Sequence, residues 1–119
     1  MCSSDLHANL DHADLEGADL RGGASLKEAS LQNANLTEAI LVGADLQGAN
    51  LQNADLTEAK LPHATLENAD LFQANLQKAF LAYANLQGAN LSGANLENSY
   101  LSGATYNDQT RLPTLTPTN

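Results

Sequence analysis

Residues 31–59 read LQNANLTEAILVGADLQGANLQNADLTEA, and leucine occupies every fifth position of this stretch. Alanine stands two residues before each leucine. With the leucine position written as i, the pattern runs from Leu10 to Tyr106, where tyrosine replaces leucine in the last register. A repeat this short and regular dominates the prediction of the fold, because every copy must form the same structural unit.

The five-residue spacing fits neither a regular helix nor a straight strand. Five residues advance by about 140° around an α-helix, so the leucines would spiral over all sides of it. Along a straight strand, positions five apart fall on opposite faces. Positions i−2 and i do share a face of an extended segment. The chain must therefore bend once per five residues, always toward its alanine and leucine side chains, and this predicts a coil with flat sides and corners.

A second period of 20 residues gives the number of sides. Residues 31–39 read LQNANLTEA and residues 51–59 read LQNADLTEA. Position i−1 is usually Asp, Asn, Ser or Thr, and the exceptions are again 20 residues apart: Ile40, Lys60, Phe80 and Tyr100. Four five-residue units therefore make one coil, and the chain is long enough for about five coils.

Three consecutive units carry a recognisable motif. They read ADLQG at 44–48, ANLQN at 49–53 and ADLTE at 54–58. This resembles the A(D/N)LXX motif of the pentapeptide repeat family, and the resemblance covers residues 8–108. It implies an all-β fold, a right-handed quadrilateral parallel β-helix with positions i and i−2 inside. The closing segment 104–113 is similar to that of many bacterial, especially cyanobacterial, members.

The sequence divides into three parts. Residues 1–7 are expected to form an irregular N-terminal lead-in, residues 8–108 the β-helix, and residues 109–119 a C-terminal capping tail. Six residues separate Leu20 from Leu26, so a one-residue bulge is predicted near Gly22 and Gly23, where glycine tolerates positive φ. Prolines in the tail would stop further pairing at an end that a solenoid has to cap.

Residues able to carry chemistry are few. His7, His12 and His63 are the only histidines, and nothing in the spacing brings them together. The single cysteine, Cys2, has no predictable base beside it. No phosphate loop, catalytic triad or metal-ligand spacing is present. The prediction is therefore a protein without enzymatic activity, catalytic residues, cofactor or metal.

The compartment is predicted from the same residues. No run is apolar enough for a membrane span, and residues 1–8 contain no signal-peptide core. A lone cysteine is compatible with a reducing compartment. We expect a cytoplasmic protein without membrane association; the periplasm or thylakoid lumen would apply if a longer precursor is trimmed.

The formal charge is −9 and is unevenly placed. Residues 1–58 hold ten acidic and two basic residues, and residues 59–119 hold four acidic and three basic residues. Such a charge favours solubility and argues against direct nucleic-acid binding. Some pentapeptide repeat proteins protect DNA gyrase from quinolones by presenting an acidic, DNA-like rod. The resemblance therefore implies an alternative function, a DNA mimic that binds a type II topoisomerase.

Large apolar side chains recur at outward positions on one side of the predicted coil. We call this set the apolar stripe, and it consists of Ile40, Val42, Phe80, Tyr83 and Tyr100. Contiguous aromatic residues on a surface are typical of interfaces. The cover could be the tail, through Leu112 and Leu115, a second copy of the chain, or another protein. The predicted function is a structural or protein-interaction module, with an unknown protein partner or self-association through the stripe.

Overall fold

The computed structural model describes residues 8–22 and 25–113. The predicted lead-in at 1–7, Gly23 of the predicted bulge, and residues 114–119 of the predicted tail lie outside the described residues. Within the described ranges there is no helix and no strand longer than a single bridged residue. In each five-residue unit, one residue forms a parallel β-bridge to a neighbouring coil. Two more residues form the turn at the corner.

Parallel β-bridges connect residue i−1 of one unit to residue i−1 of the unit 20 residues later, as in Asp45 to Thr65 and Thr65 to Asn85. The bridge spacing thus equals the 20-residue period of the sequence. The bridges form four columns, which we number in chain order. Column 1 holds Asn9, Ser30, Asn50, Asp70, Asn90 and Arg111; column 2 holds Asp14, Asn35, Asp55, Asn75 and Asn95; column 3 holds Asp19, Ile40, Lys60, Phe80 and Tyr100; column 4 holds Ser25, Asp45, Thr65, Asn85 and Thr105.

The leucines and alanines of the repeat form the core. The leucine and alanine positions from Leu26 to Ala94 are buried, and the leucines from Leu31 to Leu86 are no more than 1% exposed. No polar side chain of the described residues is buried with them. Each buried leucine contributes about 1.5–3 kcal/mol relative to an exposed one. A column of stacked leucines therefore stabilises a chain that contains few aromatic residues.

Each corner is a tight turn with one residue at positive φ. In one such corner, the Ala34 N–H donates to the Leu31 carbonyl at 3.1 Å, and Asn33 between them has φ 61°. This is the backbone that a type II turn requires at its second central residue. Position i+2 adopts positive φ in every described repeat from His12 to Gly103, in residues as large as Tyr83. Sequence reasoning placed positive φ only at the bulge, although Gly and Asn are frequent at i+2.

The acidic and amide side chains of the repeat support the same corners. The Asn50 Oδ1 atom accepts the Gln52 N–H at 3.1 Å. Every Asp and Asn at position i−1 of the described residues makes this bond to the residue two positions later. Their recurrence therefore has a structural cause, because an Asx side chain can replace a backbone acceptor in a turn.

The register changes near both ends of the solenoid. The first bridge of columns 1, 2 and 3 joins residues 21 apart, whereas Ser25 and Asp45 are 20 apart. One extra residue thus lies between Asp19 and Ser25, and Gly22 within this stretch has φ 93°.

The last bridge extends the solenoid past residue 108, where the sequence placed its end. Asn90 pairs with Arg111, which lies six positions after Thr105, whereas the repeat would place the partner five positions after it. Side chains of the insertion occupy the corner, where the Gly88 N–H donates to Asn107 Oδ1 at 2.9 Å. The Thr110 hydroxyl donates to the Leu86 carbonyl at 2.8 Å. These bonds hold the extra residue in place.

Candidate interaction surface

The five residues of the apolar stripe lie on one side of the solenoid. Ile40, Phe80 and Tyr100 belong to column 3, where Lys60 separates Ile40 from Phe80. Val42 and Tyr83 lie at the corners that follow this column. The exposed fraction is 39% for Val42, 38% for Phe80, 62% for Tyr83 and 54% for Tyr100, and Ile40 is half-buried.

Two aromatic stacks order this side. The Phe80 and Tyr100 rings are parallel within 5°, with centroids 4.8 Å apart. The His63 and Tyr83 rings are parallel within 8°, with centroids 5.1 Å apart. Lys60 places its Nζ atom 6.0 Å from the Phe80 centroid, a separation that allows cation–π attraction. Stacking between successive coils holds these side chains in fixed positions.

His63 is a neighbour of the stripe that the sequence analysis does not assign to it. It is exposed, but its ring packs against Tyr83. The signal was available, because His63 and Tyr83 both occupy position i+2 and are 20 residues apart.

Phe80 forms a ridge between two shallow grooves. Val42, Lys60, Pro62, Phe80 and Ala82 line the first groove. Glu58, Lys78, Phe80, Asn98, Ser99 and Tyr100 line the second. One groove is thus mainly apolar, and the other has an aromatic wall with charged and polar side chains around it.

The stripe residues lack a supporting hydrogen bond that is frequent in the other columns. Most i−1 side chains of columns 1 and 2, and Asp45 and Asn85 of column 4, accept the N–H two residues later. Ile40 and Phe80 have no side-chain acceptor, and the Val42 and Ala82 N–H groups bond to no other described residue. The aromatic side therefore does not arise from a requirement of the backbone.

The described part of the tail does not lie on the stripe. Arg111 joins column 1, which is separated from column 3 by column 2 on one side and column 4 on the other. Leu112 lines the end of the lumen together with Leu96 and Leu101. Leu115, the other residue considered as a cover, lies outside the described residues.

Several carboxylates near the N-terminal end bond within the chain. Arg21 donates to Asp19 from Nε at 2.8 Å and from a terminal guanidinium nitrogen at 2.6 Å. These side-chain bonds, with the Arg21 backbone N–H, lower the pKa of Asp19, and the carboxylate raises the pKa of Arg21. Asp11 Oδ1 accepts the Ser30 hydroxyl at 2.5 Å and the Gln32 N–H at 2.9 Å.

Residues that could bind a metal are dispersed. His12 and His63 are exposed at separate corners, whereas His7 and Cys2 lie outside the described residues. Across 8–22 and 25–113, no three His, Cys, Asp or Glu side chains are grouped as metal ligands would be. The same residues contain no helix of the length and apolarity needed to cross a membrane.

Comparison with solved structures finds pentapeptide repeat proteins. Rfr23 from the cyanobacterium Cyanothece 51142 is 30% identical, with 90% of this chain and 89% of that chain covered and a TM-score of 0.46. A protein of the Arabidopsis thaliana thylakoid lumen is 32% identical over 85% of this chain and 63% of that chain, with a TM-score of 0.43. The plasmid-mediated fluoroquinolone resistance protein QnrB1 is 14% identical over 87% and 91%, with a TM-score of 0.37. No curated protein sequence matched.

The repeat itself matches a family model. The model described as pentapeptide repeats matches in eight copies, over residues 7–22, 23–53, 49–82 and 81–105. These ranges contain every bridged residue of the four columns except Arg111, and most of the leucine core. The chain belongs to the pentapeptide repeat family.

Proposed function

We propose that this chain is a non-enzymatic protein-interaction module, in which a right-handed quadrilateral β-helix of about five coils presents the apolar stripe to a protein partner. The observation that carries the proposal is the stacked aromatic surface of column 3 and its corners. No cofactor, metal, nucleic acid or membrane enters the proposal. We place the module in the cytoplasm, since a single cysteine is compatible with a reducing compartment.

The main support is the contrast between the stripe and the requirements of the fold. Asp or Asn at i−1 would give the Val42 and Ala82 N–H groups an acceptor, as it does at other corners. Column 3 instead carries Ile40 and Phe80 at the corresponding positions. An exposed apolar residue by itself, such as Phe72, needs no explanation. Stacked and exposed aromatic rings covering successive coils are a different case, because they form a continuous surface.

The geometry favours a protein partner over a small ligand. The rings are already fixed by stacking, so little side-chain freedom is lost on binding. From Ile40 to Tyr100 the column rises by roughly 14 Å at the spacing of parallel strands. A stable interface buries about 800 Å² on each partner, which is more than this strip alone can supply. The stripe would therefore form the centre of an interface whose rim lies on the neighbouring columns.

The test is affinity capture from cells of the source organism with two matched double variants. Phe80→Asp with Tyr100→Asp places two charges in the stripe. Asn85→Asp with Thr105→Asp places the same charges on the same two coils of column 4. We expect a partner that binds the wild type and the column 4 variant but not the stripe variant. Equal capture by all three, or a full-length homodimer broken only by the stripe variant, would contradict an external partner.

The acidic N-terminal end supports a second candidate, a DNA mimic that binds gyrase. Asp14 and Glu16 are exposed there, whereas Asp19 pairs with Arg21. Micromolar protein is expected to leave DNA supercoiling by gyrase unchanged. Inhibition that disappears in the variant Asp14→Asn, Glu16→Gln, Asp19→Asn would place function at the acidic end instead of the stripe.

A further inference from the structure

The first groove contains backbone donors that lack an acceptor. Val42 and Ala82 both line this groove, together with Phe80. At other corners the N–H of the same repeat position donates to an Asx side chain, as the Gln87 N–H does to Asn85 Oδ1 at 3.0 Å. The Val42 and Ala82 N–H groups have no such acceptor within the described part of the chain. The groove therefore offers two hydrogen-bond donors to a molecule that occupies it.

The solenoid sets the distance between these two donors. Pro62 lies between Val42 and Ala82, one coil from each, and proline has no backbone N–H. The donors are therefore two coils apart, or about 9.6 Å at the spacing of parallel strands. A polyproline II chain rises about 3.1 Å per residue with three residues per turn, so its equivalent carbonyls recur about every 9.3 Å. A β-strand repeats about every 6.7 Å, which matches neither one coil nor two.

The charge of the first groove also selects its occupant. Among the described residues that line it, Lys60 is the one charged side chain. Lys60 is exposed and forms no ion pair with any described residue, and its Nζ atom lies 6.0 Å from the Phe80 centroid. The groove thus presents N–H donors and a cation, and no carboxylate. The complementary occupant supplies carbonyl acceptors and an acidic side chain.

The shape of the first groove suits a chain that lies across the surface. Its volume is about 280 Å³, slightly below the range of about 300–1,000 Å³ that is usual for small-ligand sites. Its members come from three successive coils, and Phe80 is held parallel to Tyr100 at its side. Proline-rich segments bind to aromatic-lined grooves, and their preformed extended backbone loses little conformational entropy on binding.

We propose that the first groove binds an acidic, proline-rich segment of the protein partner in the polyproline II conformation. The segment would lie along the solenoid axis. Two of its carbonyls, three residues apart, would accept the Val42 and Ala82 N–H groups, and an acidic side chain would lie beside Lys60. This inference rests on the proposed function, because it names the kind of segment that the apolar stripe receives.

The experiment is an NMR titration of the full, isotope-labelled chain with synthetic peptides. The probe is an acetylated peptide of three Pro-Pro-Glu repeats, and the control has three Gly-Gly-Glu repeats with the same charge. We expect the probe to move the Val42 and Ala82 amide protons downfield, because each gains an acceptor. The control should bind at least about tenfold more weakly, since a flexible chain loses more entropy and has no proline rings to pack on Phe80.

Two proline variants test the backbone donor itself. Ala82→Pro removes one N–H and places proline where Pro62 already stands one coil earlier, so the fold should be retained. Glu67→Pro is the matched control, because it removes an N–H without a described acceptor at a corner that follows column 4. Ala82→Pro should weaken binding of the probe about three- to tenfold, the effect of one hydrogen bond. Glu67→Pro should leave it unchanged.

A third variant tests the charge. Lys60→Gln should weaken binding of the Pro-Pro-Glu peptide and leave binding of an uncharged all-proline peptide unchanged.

Three results would overturn the inference: amide protons of Val42 and Ala82 that do not move, equal affinity for probe and control, or equal losses in the two proline variants. The proposed function has its own test in affinity capture. A partner that is lost from the stripe variant, combined with a probe peptide that does not bind, would contradict this inference alone.

Discussion

Column 3 and the other three columns are followed by the same buried leucines but carry different side chains on the outer surface. Leu41 and Leu46, which follow columns 3 and 4, are both fully buried. On the outer surface, Asp45 of column 4 accepts a backbone N–H, whereas Ile40 of column 3 offers no acceptor. The comparison shows that the fold is carried by the inward positions. The outward positions can change without altering the ladder, and column 3 is where they have changed most.

The largest expected effect tests the buried leucine core that all four columns share. Leu56 is fully buried in the lumen, so Leu56→Ala should leave a cavity and lower the free energy of unfolding by about 2–5 kcal/mol. Thr57→Ala at the adjacent outward position should cost under about 0.5 kcal/mol. Urea unfolding measures both changes. Equal shifts of the two midpoints would show that the inward assignment is wrong.

Next in size is a pair of glycine changes at corners that follow column 3. Gly43 and Gly103 both have positive φ, so alanine at either should cost about 1–2 kcal/mol. A Cβ at Gly103 would lie 2.5 Å from the Tyr83 ring, whereas nothing lies within 4 Å at Gly43. Gly103→Ala should therefore cost about 0.5–1.5 kcal/mol more, through loss of the ring stack.

Urea unfolding and the ring-current shifts of His63 distinguish the two glycine variants. Only Gly103→Ala should move the His63 signals, because that ring packs on Tyr83. An unchanged His63 spectrum in Gly103→Ala would mean that the stack does not exist in solution.

A smaller effect is expected when column 3 is given the side chain of the other columns. Phe80→Asn removes the stack on Tyr100 but supplies an acceptor for the Ala82 N–H. The two effects are similar in size and opposite in sign, so the free energy of unfolding should change by less than about 1 kcal/mol. Asn85→Phe is the reverse exchange and loses the bond to the Gln87 N–H. A large destabilisation by Phe80→Asn would show that the stripe supports the fold.

The smallest effect concerns Asp19, the polar first member of column 3. Arg21→Gln should raise the pKa of Asp19 toward its ordinary value of 3.8, whereas Lys27→Gln should not. Because the pKa of Asp19 is lowered in the folded chain, its contribution to stability is present above the ordinary value and is lost as the pH falls through the lowered one. Both partners are exposed, so the change in stability should be slight. A carboxyl-detected NMR titration measures the shift.

Much of the solenoid follows from the sequence, because its period is strict. Burial of Leu41 and Ala44 was predictable from the five-residue period, and the 20-residue spacing of the bridges was predictable from the longer period. The leucine and alanine positions recur in nearly every unit, so one irregular unit does not obscure them. The bond from an Asp side chain to a corner amide, seen at Asp45, is one that Asx residues commonly make in turns.

Other features depend on details that the period does not contain. Lys78 and Tyr83 adopt positive φ, which their residue types do not favour, because the corner imposes it. The extra residue before Arg111 is held by Asn107 and Thr110 side chains, whose partners lie on the preceding coil. The orientation of the His63 and Tyr83 rings follows from packing between coils.

The ladder also has a mechanical consequence. Its hydrogen bonds, such as that from the Leu56 N–H to the Asn75 carbonyl at 2.7 Å, join each coil only to the coils directly before and after it. Tension applied to the two chain ends would therefore detach one terminal coil at a time. Each event would release 20 residues, or roughly 70 Å of extended chain. Under load, the rod would lengthen in equal steps while the coils not yet detached kept their structure.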